Sequence, residues 1–303
     1  MFAQFPHAAD KTDIMSAIEA MRFQEDAAYH CTDYLSNNDN DNNDKTRVNQ
    51  DCRRKMIEWC YQVVDYCKFN RETVSIAISL LDRYLDSPAG QEVLGNRKVF
   101  QLVSMTCLYT AVKVHEPEAM EPKTIAGLSR GAYTEEQVTK AELQILMGVK
   151  WRVNPPTAMA FVQHYLSLLF STLTTLSAKD KVALLNVARF QTELAVYDYT
   201  LSSVQASRVA LAAVANAMHS VGLSVETQEA FLCGLARLLR IREDAHDVQM
   251  KLYEAVQSAS VTLLPRNSIA ESLVEEETVE YPSQKSARTA ANVSPRCVAS
   301  TER

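Results

Sequence analysis

From Cys52 to about residue 262, apolar side chains recur every three to four positions, interrupted only by short polar or proline-bearing stretches. That period belongs to amphipathic helices, and its persistence argues for a chain built from helices alone. Glycine is correspondingly scarce, at 7 in 303 residues, where an average protein has ~7%. Glycine-rich phosphate loops, dinucleotide-binding folds and turn-dense β-sandwiches all require more of it. The expected fold class is therefore all-α.

The punctuation divides the chain. Residues 1–35 can form an N-terminal helix, capped by Thr12 or Asp13, with Ile14, Ile18, Met21, Ala28, Cys31 and Leu35 along one stripe. Residues 36–51 form a linker in which Asn and Asp supply 10 of 16 positions, side chains that compete with helical backbone bonding. Five helices are expected over 52–152. Thr134-Glu135-Glu136-Gln137 has the spacing of a capping box for the fifth, and Gly148 is placed to end it. Asn154-Pro155-Pro156 then opens a second unit, 153–264, with Asn as cap and Pro in the first turn of its first helix. Ser202-Ser203-Val204-Gln205 offers another capping box within it. Two successive sets of five helices of about 100 residues each imply a duplicated architecture. Residues 265–303 hold 3 Pro, 6 Glu, 6 Ser and 3 Thr, too little apolar surface to offset ordering entropy, and are expected to be a disordered tail.

Charge narrows the function classes. The net charge is −6, but residues 1–51 carry −6, the tail carries −1, and the body between them is near neutral at +1. Such a body lacks the basic footprint that nucleic acid demands. No apolar run approaches the ~18 residues of a membrane span, and no secretory signal is visible, so a soluble intracellular chain is expected. The seven cysteines form no CxxC pair, and the six histidines show no HxxxH or HExxH spacing, so no metal or cofactor is expected. Nucleophile-elbow and phosphate-loop motifs are missing too, and the chain is read as a non-enzyme.

What stands out instead is polar residues inside apolar helices. Asp82 sits in Leu81-Asp82-Arg83-Tyr84, where a carboxylate is costly unless paired, and Arg53 at the start of the first core helix is a natural bidentate partner. Lys113, in Ala111-Val112-Lys113-Val114, and Glu142, in Lys140-Ala141-Glu142-Leu143, pose the same question. By helix pattern alone each could equally face solvent.

These residues fall into a known order. Arg53-Arg54-Lys55-Met56-Ile57-Glu58-Trp59, Leu81-Asp82-Arg83-Tyr84-Leu85, Gln101-Leu102, Lys113 and Glu142 together resemble the cyclin box. Asn154-Pro155-Pro156-Thr157 followed by Phe161 looks like the junction into a C-terminal cyclin fold, so the resemblance covers about 52–262. It implies two tandem five-helix cyclin-fold bundles and a regulatory subunit that activates a cyclin-dependent kinase. It further implies a structural salt bridge between Arg53 and Asp82. The kinase catalytic subunit would be contacted through Lys113 and Glu142, with Val114, Leu146 and Trp151 packing on its PSTAIRE-type helix. Residence in the nucleus, the cytoplasm or both is expected from the family.

The resemblance also carries departures. Where many cell-cycle cyclins display an apolar patch for RxL peptides, this chain has Cys52, Lys55, Met56, Trp59 and Gln62. Lys55 replaces an apolar residue and Gln62 an acidic one, which places substrate docking there in question. The tail looks PEST-like, with Ser294-Pro295 as a proline-directed phosphosite through which ubiquitin-ligase machinery could be recruited. Trp151 and the tail lean toward the D-type or G1 class. The alternative is a cyclin-fold scaffold or transcription-related cyclin that binds proteins without activating a cell-cycle kinase.

Overall fold

A computed structural model describes residues 11–35, 47–238 and 246–262. Most of the Asn/Asp-rich linker and the tail with Ser294 lie outside the described residues. The described chain is all-helical, from α1 (Lys11–Ala28) to α11 (His246–Thr262).

The first unit is built from α2 (Gln50–Cys67), α3 (Glu72–Asp86), α4 (Arg97–His115), α5 (Pro122–Leu128) and α6 (Glu135–Gly148). Its centre is α4, buried on nearly every face, with α3 and α6 packed against it. A helix buried all round must dispose of its polar side chains internally. Ser104, Thr106 and Thr110 do so by donating back to the carbonyls of Phe100, Leu102 and Thr106 at 2.8–3.0 Å. The Ser87–Asn96 connection contains a short 3-10 helix, Gln91–Gly95, that buries Val93 and Leu94 in the same core.

The second unit repeats the plan with α7 (Ala158–Thr172), α8 (Ala178–Tyr197), α9 (Ala206–Ser220), α10 (Val225–Leu238) and α11. Here α9 is the buried centre, and its alanines let α7, α8 and α11 approach closely. Asn216, buried in α9, donates to Gln191 Oε1 at 2.8 Å and to the Gln249 carbonyl at 3.1 Å, so its burial is compensated.

Several terminators differ from the sequence expectations. Thr12 and Asp13 lie within the first turn of α1 rather than capping it. Asn154-Pro155-Pro156 remains non-helical and Thr157 caps α7, accepting from the Ala160 amide at 3.0 Å. A threonine hydroxyl fits this position, and Thr157 also donates to Glu72 on α3 of the first unit. The capping box at Thr134 and Gln137 is present, with both reciprocal bonds made. The one expected from Ser202 to Gln205 is not, because that stretch follows a 3-10 turn and α9 begins at Ala206.

The first donors of α9 are met from outside instead. The Glu25 carboxylate on α1 accepts from the Ser207 amide at 2.9 Å and from its hydroxyl at 2.7 Å. Arg22 reinforces the junction with bonds to Glu25, Gln205 and Ser207. The expected apolar stripe of the N-terminal region is therefore divided. Ile14 and Ile18 join the core of the second unit, whereas Cys31 and Leu35, beyond the end of α1, join the core of the first. One short segment thus ties the two units together.

Candidate functional site

Arg53 and Asp82 are brought together in a buried, bidentate pair, with Nε to Oδ1 at 2.9 Å and Nη2 to Oδ2 at 2.7 Å. Tyr34, on the stretch after α1, donates to the same Oδ1 at 2.7 Å. The remaining reach of the guanidinium goes across the junction: Nη1 donates to the Val196 carbonyl at the end of α8 at 2.8 Å. Burial works against the Arg53 charge, but the Asp82 carboxylate beside it more than compensates and raises its pKa. Burial also pushes the Tyr34 hydroxyl well up, with Asp82 adding to it. The pair joins α2, α3, the N-terminal segment and the second unit at one point.

A second clasp lies nearby. Arg71, opening α3, bonds Asp65 at 2.6 Å and Glu193 of α8 at 2.8 Å, and its guanidinium lies 4.4 Å above the Tyr61 ring. Tyr61 in turn stacks on Tyr197 at 5.5 Å. Both clasps fix how α8 sits against the first unit.

Elsewhere on that unit, Lys113 lies in the last turn of α4 and α6 carries Glu142. Lys113 Nζ lies 3.2 Å from Glu142 Oε1 and 5.6 Å from the Tyr109 ring centroid. Glu142 is buried while Lys113 is half exposed, so the carboxylate forms the floor and the ammonium the rim. Modest burial opposes the ammonium charge, and the bond to Glu142 outweighs it, raising the Lys113 pKa. Large apolar side chains stand in solvent on the same elements: Val114, next to Lys113, at 47% exposure, and Trp151, just past the end of α6, at 63%. Leu146 is half-buried.

Two further members escaped the sequence reading: Leu143, 52% exposed, and Met147, 64% exposed. The signal for them was present. In α6 the core stripe is Val138, Ala141 and Ile145, and Leu143 and Met147 form an exposed i, i+4 pair off that stripe, with Trp151 following after the helix ends. An amphipathic helix needs only one apolar stripe, so a second one marks a surface with another use.

The backbone after α6 presents the tryptophan. Lys150 and Trp151 both adopt left-handed conformations, with φ of 54° and 60°. The Trp151 amide reaches back to the Leu146 carbonyl at 2.8 Å. Left-handed conformations at non-glycine residues cost about 1–2 kcal/mol each, a strain typical of functional positions. α6 ends at Gly148, as expected, with the left-handed residues two and three positions later. This glycine is required for packing, since a Cβ there would lie 2.7 Å from the Tyr84 ring.

The expected peptide-docking patch is not displayed. Cys52, Met56 and Trp59 are buried in the core of the first unit, leaving only Lys55 and Gln62 toward solvent. Lys55 is engaged by Asp51 at 2.8 Å. The apolar face of α2 that would form the patch is consumed by intramolecular packing. Among the described residues no cluster of His, Cys, Asp and Glu could hold a metal ion, and no helix is long and apolar enough to cross a membrane.

Comparison with known proteins agrees with this architecture. The family model for the cyclin N-terminal domain matches residues 16–154. The chain is 29% identical over 168 residues to G2/mitotic-specific cyclin-2 of Antirrhinum majus, covering 55% of this chain and 35% of that protein. It is 30% identical over 117 residues to G1/S-specific cyclin-E of Caenorhabditis briggsae, covering 39% and 22%. The X-ray structure of a viral cyclin from herpesvirus saimiri superposes with a TM-score of 0.60 at 15% identity, over 81% of this chain and 97% of the viral one, which shows a shared fold. The chain carries a cyclin N-terminal domain over residues 16–154. The matches span about a third or less of these two curated relatives' own length, and mitotic and G1/S names occur alike, so they assign no subtype.

Proposed function

We propose that the chain is a regulatory subunit that docks on a cyclin-dependent kinase and activates it, and that it acts in cell-cycle control. The observation that carries this reading is the Lys113–Glu142 pair surrounded by unpartnered large apolar side chains, on a unit held rigid by buried clasps. An apolar platform with a charged pair at its edge supplies both halves of a specific interface: Trp151, Met147 and Leu143 provide contact area, and the pair fixes register. A kinase helix laid on this platform would be held in the position where its glutamate completes the Lys–Glu ion pair needed for phosphoryl transfer. The chain would contribute no catalytic group and would shift the kinase toward its competent state.

The test is to purify the tagged chain from its own cells beside a Lys113→Ala/Glu142→Ala form and measure co-purifying protein-kinase activity. Removing both partners avoids stranding a buried carboxylate, so the fold should survive. Truncating an interfacial pair of this kind costs about 2–5 kcal/mol of binding, enough to lose most of the partner. Wild type should bring down kinase activity and the double variant should not. Equal activity in both would contradict the assignment of this face. If neither recovers activity, the chain is a scaffold that uses the cyclin fold for another partner.

A further inference from the structure

Arg83 adjoins Asp82 in the chain but has no share in the ion pair that Asp82 makes. It is 8% exposed, and it forms no salt bridge with any described residue. Its Nε donates to the carbonyl and hydroxyl of Ser79 at 3.2 and 3.3 Å, and its guanidinium lies 4.8 Å above the Tyr29 ring. Its Nη2 is buried with no hydrogen-bond partner. A guanidinium has five donors and keeps its charge at every ordinary pH, so an unmatched one in the interior is a standing cost. Burial accordingly depresses its pKa. Neighbouring charged residues at this junction are paired: Arg53 with Asp82, the part-exposed Arg71 with Glu193, and Glu25 with Ser207 and Arg22.

Arg83 stands on the wall of a cleft of about 1410 Å³ between the two helical units and the segment that follows α1. Small-molecule pockets occupy ~300–1,000 Å³, so this volume suits a stretch of extended peptide. The missing partner is an oxyanion, because the planar fork of arginine takes a carboxylate or phosphate bidentately. Tyr29, half-buried and just past the end of α1, covers the guanidinium and occupies the approach to it.

We propose that this cleft is a binding site for an extended peptide bearing an anionic side chain, gripped by the Arg83 fork after Tyr29 swings away. Lys113, Glu142 and Trp151 do not line the cleft, and the proposal does not depend on the assignment of that face. A carboxylate residue and a phosphorylated residue would both satisfy the fork.

The experiment follows the backbone amide signals of Ser79 and residue 83 by NMR in the full chain while inorganic phosphate is added at constant ionic strength. A saturable shift is expected, lost in Arg83→Gln and several-fold tighter in Tyr29→Ala, where no ring has to be displaced. Should Arg83→Gln fail to fold, Arg83→Lys keeps the charge without the fork and should bind more weakly. Pentapeptides centred on phosphoserine, glutamate or alanine then distinguish the sources: whichever anionic peptide binds more tightly names the natural ligand class. No shift in either wild type or Tyr29→Ala, or equal binding of the alanine peptide, would overturn the proposal.

Discussion

Asp82 shows how much rests on one carboxylate. Its oxygens hold Arg53 and Tyr34, and through Arg53 the end of α8. Asp82→Ala strands a guanidinium that is 3% exposed, which costs about 3–5 kcal/mol. Urea unfolding should show that loss, whereas Arg53→Met/Asp82→Leu should lose much less because no buried charge remains unpaired. The pair is legible in the amino-acid sequence, since a carboxylate inside an apolar helix requires a partner. Its third and fourth contacts, Tyr34 and Val196, are not, because nothing local predicts which distant segment will reach the pair. Glu25 makes a second residue-scale prediction. Burial raises its pKa despite the bonds from Ser207 and the charge of Arg22. A raised carboxyl pKa means that folding favours the protonated form. That contribution is full below the ordinary glutamate value of ~4.3 and is lost as pH rises through the folded value. Relative to Glu25→Gln, wild type should therefore gain stability as pH falls from neutrality toward that range. An unchanging difference between the two across the titration would contradict the assigned environment.

At the scale of elements, the helical period anticipated two successive sets of five helices, while the caps proved harder to read. Asn154-Pro155-Pro156 and Ser202–Gln205 have capping composition, but Thr157 caps α7 and Glu25 serves α9 from another helix. Caps supplied across the fold carry no sequence spacing, so they are invisible to local reading. The same limit explains α2. Cys52, Met56 and Trp59 fit a surface patch by resemblance, yet whether an apolar stripe is covered depends on what packs over it. Gly148 offers an element-scale test, because α6 meets α3 there with the Tyr84 ring against its Cα. Gly148→Ala should destabilise the first unit by about 1–3 kcal/mol through overpacking, even though alanine favours helix. A thermal melt that rises instead of falling would show that the contact is looser than described. Glu25→Ala should leave the buried Ser207 amide unsatisfied at about 1–3 kcal/mol. Hydrogen exchange should locate that loss in α1 and the first turn of α9 rather than in α4.

For the whole molecule, the two units have separate cores, and buried polar clasps join them along α8 and the segment around α1. The first unit also leaves Leu143, Met147 and Trp151 exposed, on or just after the helix that carries Glu142. The most direct measurement adds purified chain to an isolated cyclin-dependent kinase catalytic subunit and follows phosphoryl transfer to a protein substrate. The account predicts strong activation by wild type, and loss of it in Met147→Asp/Trp151→Asp, whose substitutions are on solvent-exposed positions and should leave the melting temperature nearly unchanged. Activation by the double variant equal to wild type would contradict the central claim that this exposed row is the kinase-docking face.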